Sequence, residues 1–158
     1  MATIRIAEEA DTPTILRFIR ALAAYEKLEH ECLADEAGLR THLFGPRSYA
    51  EVLLIEEQNV AHGFALFFHN FSTFLAKPGL YLEDLFVDPA QRGKGYGKAL
   101  LVKLAEVALE RGCGRLEWSV LDWNKPSIDF YLSLGARPMD EWTIYRLDGA
   151  ALAKLGGG

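Results

Sequence analysis

Three glycines at alternate positions, set among basic residues, form the segment of this sequence with the clearest chemical meaning. The segment is Arg92-Gly93-Lys94-Gly95-Tyr96-Gly97-Lys98, between an apolar run and a helical pattern. Glycines at this spacing let successive backbone N–H groups point into one concavity, and the helix that follows adds unpaired N–H groups and a positive dipole end. With the flanking cations, the segment predicts a pyrophosphate site. The alternative is a flexible, solvated connector.

Two other phosphate-binding motifs do not fit this spacing. The dinucleotide fingerprint requires G-x-G-x-x-G, whereas the residues here read G-x-G-x-G. A P-loop has four residues between its glycines and then Lys followed by Ser or Thr. Here three residues separate Gly93 from Gly97, and Lys98 is followed by Ala99. Both nucleotide interpretations are therefore excluded.

The spacing Arg92-x-x-Gly95-x-Gly97 resembles the coenzyme-A pyrophosphate motif, Gln/Arg-x-x-Gly-x-Gly/Ala, of the GNAT superfamily of N-acetyltransferases. The order of predicted elements, given below, is also similar to that of this superfamily over essentially the whole chain. Further segments resemble the spermidine/spermine (diamine) branch, whose close relatives also acetylate thialysine. These segments are Ala24–Glu26, Tyr81–Val87, Trp123–Ser127 and Ile128–Tyr131, the last followed by Gly135-Ala136.

The resemblance implies an acetyl-CoA-dependent N-acetyltransferase. The acceptor is expected to be the primary amine of a small cation, either a polyamine or diamine or a thialysine-like amino acid, which attacks directly without a covalent enzyme intermediate. Two alternatives stay open: an acyl-CoA-binding regulatory module without turnover, and an acetyltransferase of protein lysines or N-termini. The residues expected to bind the coenzyme are Leu85, Phe86, Val87, Arg92, Gly93, Lys94, Gly95, Tyr96, Gly97, Lys98, Asn124, Pro126 and Ser127.

Tyr131 is the candidate general acid for the departing thiolate. A phenol stays protonated at neutral pH because its ordinary pKa is about 10, and the resemblance implies a position beside the coenzyme sulfur. The alternative is a core aromatic, since Ile128, Tyr131 and Leu132 share one helical face. Asn124, at the start of the same helix, is explained as an N-cap, and the resemblance adds a coenzyme contact.

Two adjacent carboxylates, Glu83 and Asp84, interrupt an apolar run that is typical of a buried strand. Because neighbouring strand residues face opposite sides, the pair is not expected to share one proton. A solvated strand end is the alternative. The resemblance implies that Glu83 recognises the amine, with a base role through water left open, and that backbone groups of Leu85, Phe86 and Val87 pair with the pantetheine arm.

Acidic and aromatic side chains are expected to line the acceptor groove, because both bind cations. The resemblance carries this role to Tyr25, Glu26, Glu83, Asp84, Glu117, Trp118, Ser119, Glu141 and Trp142. Glu117 and Lys27 depart from the diamine pattern. Since exposed glutamates are usually only solvated, that remains the alternative for each one.

The periodicity predicts elements in the order β-α-α-β-β-β-α-β-α-β. Such an order implies an α/β fold with a mixed, mostly antiparallel sheet and helices on both faces. Thr12 is expected as the N-cap of the first helix and Gln58-Asn59 as a hairpin turn. The predicted segments are Thr3–Ala7, a helix after Pro13, Asp35–Phe44, Tyr49–Glu56, Val60–Asn70, Gly79–Val87, Gly97–Arg111, Arg115–Leu121, Lys125–Leu134 and Trp142–Leu147.

Composition sets the remaining expectations. The chain has 158 residues, 17 Lys and Arg against 22 Asp and Glu, and a net charge of −5, which argues against nucleic acid as a partner. We expect one domain over residues 1–155, a flexible tail over 156–158, and a cytoplasmic location without membrane contact. The four histidines and two cysteines lack metal-ligand spacing, so no metal is expected. The resemblance also implies a homodimer.

Overall fold

Five strands form one sheet in the computed structural model, which describes residues 1–157. The chain divides into two compact units, the first ending at Leu121 and the second starting at Asp122. The first unit contains β1 (Thr3–Ile6), α1 (Thr12–Tyr25), α2 (Glu36–Phe44), β2 (Glu51–Glu57), β3 (Val60–Ser72), β4 (Lys77–Val87), α3 (Tyr96–Glu110) and β5 (Leu116–Trp118). The second contains α4 (Lys125–Ser133) and α5 (Gly149–Leu155). Single 3₁₀ turns lie at Glu9–Asp11, Glu29–Glu31 and Pro89–Gln91.

The strands lie in sequence order, and only the last pairing is parallel. β1 to β4 form an antiparallel meander, and β5 pairs with β4 after the α3 crossover. Gln58 and Asn59 both have positive φ, as the turn between β2 and β3 requires. The predicted mixed, mostly antiparallel sheet is confirmed.

Helices cover both faces of this sheet. On one face Phe18 of α1 stacks on Phe64, with 5.4 Å between ring centroids, and lies 6.2 Å from the ring of Phe86. Leu43 of α2 joins the same cluster of buried side chains. On the other face Arg111, at the end of α3, places its guanidinium 5.8 Å from the Phe67 centroid. We call these the α1 face and the α3 face.

The start of α1 differs from the prediction that Thr12 caps this helix. Asp11 occupies the cap position, while Thr12 is the first helical residue and its hydroxyl donates to the Glu9 carbonyl over 2.6 Å. The cause is the 3₁₀ turn before the helix. Its reciprocal bonds between Glu8 and Asp11 hold Asp11 at the cap position, so the helix begins one residue earlier than predicted.

Three predictions near the C-terminus are wrong or incomplete. Trp142–Leu147 is not a strand, because strand-forming residues still need a partner strand and none pairs with them within residues 1–157. The predicted strand Arg115–Leu121 is reduced to β5, and α5 was not predicted. Of the expected tail, Gly156 and Gly157 lie in a turn, and Gly158 lies outside the described residues.

Candidate active site

The glycine segment forms an open turn between β4 and α3. Gly93 and Gly95 have φ angles of 86° and 79°, a left-handed conformation that favours glycine. Gly95 is the residue before α3, and no side chain caps the first turn of that helix. The helix therefore presents unbonded N–H groups and its positive dipole end at this point.

Gly97 has a different reason to be glycine. A Cβ atom at this position would lie 4.0 Å from Val87 Cγ2, an ordinary contact, and the backbone there is helical. Neither strain nor crowding within the protein requires glycine, so the open surface fits the close approach of a ligand. Lys94 and Lys98 are exposed around it. The donors and charges of this turn fit a diphosphate group.

Lys98 also lines a shallow pocket of about 410 Å³ beside α3, to which Ile4 of β1 contributes. Lys94 instead donates from Nζ to Gln91 Oε1 over 2.6 Å. The two lysines thus lie at different edges of the turn, one bonded within it and one beside a cavity.

Tyr96 anchors the glycine turn to the sheet. Its side chain is buried, and its hydroxyl donates to both carboxylate oxygens of Glu57 at 3.0 and 3.2 Å. Its ring stacks with His62 at a centroid distance of 6.2 Å. Burial, and then the carboxylate of Glu57, raise the pKa of this phenol. Tyr96, predicted among the coenzyme-binding residues, thus has an evident role in holding the loop.

The edge of β4 that leads into this turn has a strand partner along only part of its length. Pairing with β5 stops at Leu82–Trp118, so the described strands leave Glu83–Val87 unpaired on that side. The side chain of Phe86 is buried in the core. A ligand on this edge would therefore meet backbone groups at Phe86, and the role of Leu85, Phe86 and Val87 in binding the pantetheine arm stays a prediction.

A β-bulge lies at Glu83, within the same strand. Leu82 is opposite Phe67 and Asp84 is opposite Leu66, so Glu83 has no counterpart on β3. Leu82 shares the α3 face with Phe67, and Asp84 shares the α1 face with Phe86. The charge of Glu83 raises the pKa of Asp84 and also that of Glu26 at the end of α1, so the inserted residue lies on the α1 face as well. The prediction that the two carboxylates face opposite sides is wrong, because the inserted residue resets the alternation.

The end of α1 adds a third carboxylate to this face, that of Glu26. Burial, followed by the charges of Glu83 and Glu26, raises the pKa of Asp84 to about 7. Burial and the charge of Glu83 also raise the pKa of Glu26. Within residues 1–157, none of the three forms an ion pair with Lys or Arg. We call Glu26, Glu83 and Asp84 the acidic group.

Arg92 connects the glycine turn to the end of α1. Its guanidinium carbon lies 5.0 Å from the centroid of the Tyr25 ring and 5.8 Å from that of Phe86. Its Nε atom donates to the Val87 carbonyl over 3.4 Å. A predicted coenzyme residue and a predicted acceptor residue are therefore in direct contact, which spacing in the sequence gave no means of detecting.

The predicted acceptor residues on and after β5 make three different kinds of contact. Glu117 is bonded to Arg115 at 3.3 Å and to Asn70 at 3.4 Å, so its charge is partly compensated. Ser119 Oγ lies 2.6 Å from the hydroxyl of Tyr81. Trp118 closes the pairing with β4, next to the bulge.

The second unit contains the remaining predicted residues. Asn124 is buried and caps α4, its side chain accepting from the Ser127 N–H over 3.4 Å, and Pro126 lies in the first turn. Tyr131 lies on α4, with 5.8 Å between its ring centroid and that of Phe130. Glu141 is in a turn, and Trp142 is 77% exposed in the extended segment that follows.

Comparison with known proteins identifies the family. The sequence profile of the acetyltransferase (GNAT) family matches residues 15–136. The chain belongs to this family. It is 39% identical to thialysine N-epsilon-acetyltransferase from Sus scrofa, over 98% of this chain and 96% of that protein. It is 35% identical to L-ornithine N5-acetyltransferase from Arabidopsis thaliana, over 96% and 86% of the two chains.

A solved structure agrees with this membership. The integron cassette protein from the mobile metagenome of V. cholerae superposes on this GNAT chain with a TM-score of 0.83 and 28% identity, over 99% and 98% of the two chains. The predicted family, fold and N-acetyltransferase activity are confirmed. The relatives are named for transfer to amines of small molecules, which agrees with the predicted reaction.

Residues 1–157 contain neither a helix suited to crossing a membrane nor a cluster of metal ligands. No helix within residues 1–157 combines the length and the apolar character needed to cross a membrane. No three His, Cys, Asp or Glu side chains in the same range are arranged as metal ligands, and this holds for the acidic group as well.

Proposed function

We propose that this GNAT enzyme uses acetyl-CoA to acetylate a primary amine of a small cation, a thialysine-like amino acid or a diamine or polyamine. One observation carries the proposal: β4 joins an open, cationic glycine turn at its end to an acidic group at its bulge, which has no ion-pair partner among residues 1–157. Relatives named for thialysine and L-ornithine support the same chemistry, since both names specify a side-chain nitrogen.

The glycine turn after β4 and the bulge within β4 are proposed to bind the two substrates. Backbone N–H groups of the glycine turn, with Arg92, Lys94 and Lys98, bind the diphosphate, and the unpaired edge of β4 binds the pantetheine arm. Acetyl-CoA supplies the acetyl thioester when it is bound. Asn124, Pro126 and Ser127 are further coenzyme contacts on the strength of the family resemblance.

The acceptor groove is proposed to recognise charge. The acidic group attracts the ammonium, and Tyr25, Trp118 and Trp142 offer aromatic rings to the cation. Ser119, Glu117 and Glu141 complete the groove by resemblance. Glu83, the exposed member of the acidic group, recognises the amine, and a base role through water is the second role open to it. Tyr131 is the proposed acid that protonates the departing thiolate.

The test is release of CoA thiol from acetyl-CoA in the presence of an amine panel. The panel contains thialysine, L-ornithine, a diamine, a polyamine, a lysine peptide and a peptide with a free N-terminus. We expect the small cations to be the best substrates. Transfer to the peptides alone would reject the small acceptor and favour the alternative of a protein acceptor.

The acid role is tested with Tyr131→Phe. We expect the variant to lower kcat by about 10²-fold or more, the usual contribution of a general acid, while calorimetry shows CoA binding unchanged. Ser133→Ala, at the exposed end of the same helix, is the matched control and should keep the wild-type rate. Unchanged turnover in Tyr131→Phe would remove the residue from the chemistry.

Three further properties belong to the same proposal. We propose that residues 1–155 act as one N-acetyltransferase domain, which is supported by a family profile that continues across Leu121 into the second unit. A homodimer is proposed from the resemblance. A cytoplasmic location is supported by two cysteines that are both free.

A further inference from the structure

A second charged region lies on the α1 face of the sheet, beside the acidic group and nearer the start of β4. Tyr81 belongs to this face because it precedes Leu82, on the α3 face, by one residue, and it lies beside Glu117 in the ladder with β5. Asn70 on β3 lies opposite Gly79, two residues before Tyr81, and so shares the face. The side chain of Arg115 reaches Glu117. We call the following residues the polar cluster: Asn70, Tyr81, Arg115 and Glu117.

The two charged members of the polar cluster form an ion pair that stays accessible to a ligand. Arg115 Nε lies 3.3 Å from Glu117 Oε1, and the two side chains are 45% and 34% exposed. The planar fork of an arginine suits a carboxylate, and a glutamate accepts hydrogen bonds from an ammonium. The pair therefore offers a positive and a negative group, side by side, to a small ligand.

Asn70 holds Glu117 in place although its own amide oxygen is poorly accommodated. Its Nδ2 atom donates to Glu117 Oε1 over 3.4 Å, whereas its buried Oδ1 atom has no hydrogen-bond partner within residues 1–157. The amide lies over Gly79, where a Cβ atom would clash with Oδ1. Burying an acceptor without a donor lowers stability. The contact with Glu117 is therefore the favourable polar interaction that an asparagine provides here.

The spacing between the polar cluster and the acidic group matches the length of a basic amino acid. Glu83 and Asp84 follow Tyr81, the ladder partner of Glu117, by two and three residues. Because a strand rises by about 3.3 Å per residue, the two sites are about 7–10 Å apart along β4. With bonds of about 1.5 Å, the extended chain from the side-chain nitrogen of ornithine or thialysine to its α-carboxylate spans about 6–9 Å. One such molecule could therefore reach both sites.

We propose that Arg115 binds the α-carboxylate of the acceptor and that Glu117, positioned by Asn70, binds its α-ammonium, while the acidic group binds the side-chain amine. This inference rests on the proposed function and narrows it to one acceptor class, a basic amino acid with both α-groups free. A diamine or polyamine presents only positive charges, which Arg115 repels. A lysine within a peptide has lost both α-charges to amide bonds. The polar cluster thus selects among amines that the acidic group alone would accept.

The test compares kcat/KM for L-ornithine and for 1,4-diaminobutane, which is ornithine without its carboxylate, at saturating acetyl-CoA. Wild type should prefer L-ornithine by about 10-fold or more, the effect of one hydrogen bond to a charged group. Arg115→Gln should abolish this preference by raising the KM for L-ornithine, while kcat/KM for 1,4-diaminobutane stays equal or rises. Because the ratio of the two values is measured in one preparation, it does not depend on the fraction of folded protein.

Glu117 and Asn70 have different expected effects. Glu117→Gln should lower kcat/KM for both acceptors through KM, since each carries a second ammonium. Asn70→Leu keeps the size of the side chain but removes its donor, and it should give a smaller loss of the same kind. The double variant should be no weaker than Glu117→Gln alone, because Asn70 is a positioning residue that acts through Glu117. Additive losses would remove Asn70 from the inference.

The matched control is Arg111→Gln, which breaks an ion pair of similar exposure with Glu51 on the α3 face. It should leave the ratio between the two acceptors at the wild-type value. Equal kcat/KM for both acceptors in wild type, or a wild-type ratio in Arg115→Gln, overturns the inference but leaves the proposed function standing. No thiol release by wild type with any amine of the panel overturns both.

Discussion

At the scale of single residues, the three glycines of the glycine turn are not equivalent. Gly95 is required by its backbone, since its φ of 79° is unfavourable for any residue with a Cβ. Gly97 is helical and has room for a Cβ, so the fold itself does not require glycine there. Chain conformation and ligand access therefore place separate demands on two positions of one motif.

Alanine substitutions should separate these demands. Gly95→Ala should lower the free energy of unfolding by about 1–2 kcal/mol, the cost of a left-handed alanine. Gly97→Ala should leave that free energy equal or raise it by up to about 1 kcal/mol, because alanine favours helix, yet weaken CoA binding. Urea unfolding and calorimetry measure the two effects. Normal CoA affinity in Gly97→Ala would contradict a diphosphate lying against this turn.

At the scale of elements, contacts from β2 and β3 hold the glycine turn in place. Tyr96 is bonded to Glu57 of β2 and stacked on His62 of β3, so the start of α3 is fixed to the sheet. The turn is thereby supported on the side that faces the sheet, while its other side stays open. A binding loop held in this way loses less conformational freedom when the ligand arrives.

Removing the Tyr96 hydroxyl, which is bonded to Glu57, should therefore weaken coenzyme binding by loosening the glycine turn. Tyr96→Phe keeps the buried ring but leaves Glu57 without its donor, and we expect a several-fold rise in the Kd for CoA together with a lower Tm. The double variant Tyr96→Phe with Glu57→Gln should be no weaker than Tyr96→Phe alone, because the pair acts as a unit. Additive losses would indicate that the two side chains act independently.

Sequence patterns predicted most elements of the first unit because each depends on local signals. The Gln58-Asn59 turn and the helix predicted within Asp35–Phe44 are both in the expected places. The bulge at Glu83 and the Arg92–Tyr25 contact could not be predicted, since both depend on pairing between distant segments. The strand predicted at Trp142–Leu147 failed for the same reason, because β-propensity does not specify a partner.

At the scale of the whole molecule, carboxylates with a lowered pKa stabilise the fold when they are ionised, whereas one with a raised pKa destabilises it. Arg5 bonds to Asp11 and Glu56, each at 2.8 Å, and ties β1 to β2 and to the start of α1. Hydrogen bonding to Arg5 lowers the pKa of Asp11, and Arg111 likewise lowers that of Glu51. These carboxylates stabilise the fold above their ordinary pKa values, and the stabilisation is lost as the pH falls through their lowered values.

The effect of Asp84 on stability has the opposite sign to that of Asp11 and Glu51. Its pKa of about 7 in the folded chain exceeds the ordinary value of 3.8, so the folded state binds more protons and stability declines as the pH rises between the two. Asp84→Asn should therefore stabilise the protein at pH 8, on the order of 4 kcal/mol, and by less than half of that at pH 5. Urea unfolding at both pH values measures the difference.

Asp11→Asn is the matched control for that measurement. Because it removes a carboxylate whose pKa is lowered, it should destabilise the chain at pH 5 and pH 8 alike, with the loss shrinking only in stronger acid. Equal stability of Asp84→Asn and wild type at pH 8 would mean that Asp84 titrates as an ordinary exposed carboxyl.

The extra residue in β4 constrains how the chain can evolve. Deleting Glu83 would move Leu80 and Leu82, both fully or almost fully buried, to the opposite side of the strand, so the number of residues here is fixed by the core. The side chain at position 83 has no such constraint, because it lies opposite no residue of β3. A single substitution at this position can therefore change the charge of the acidic group at little cost to folding.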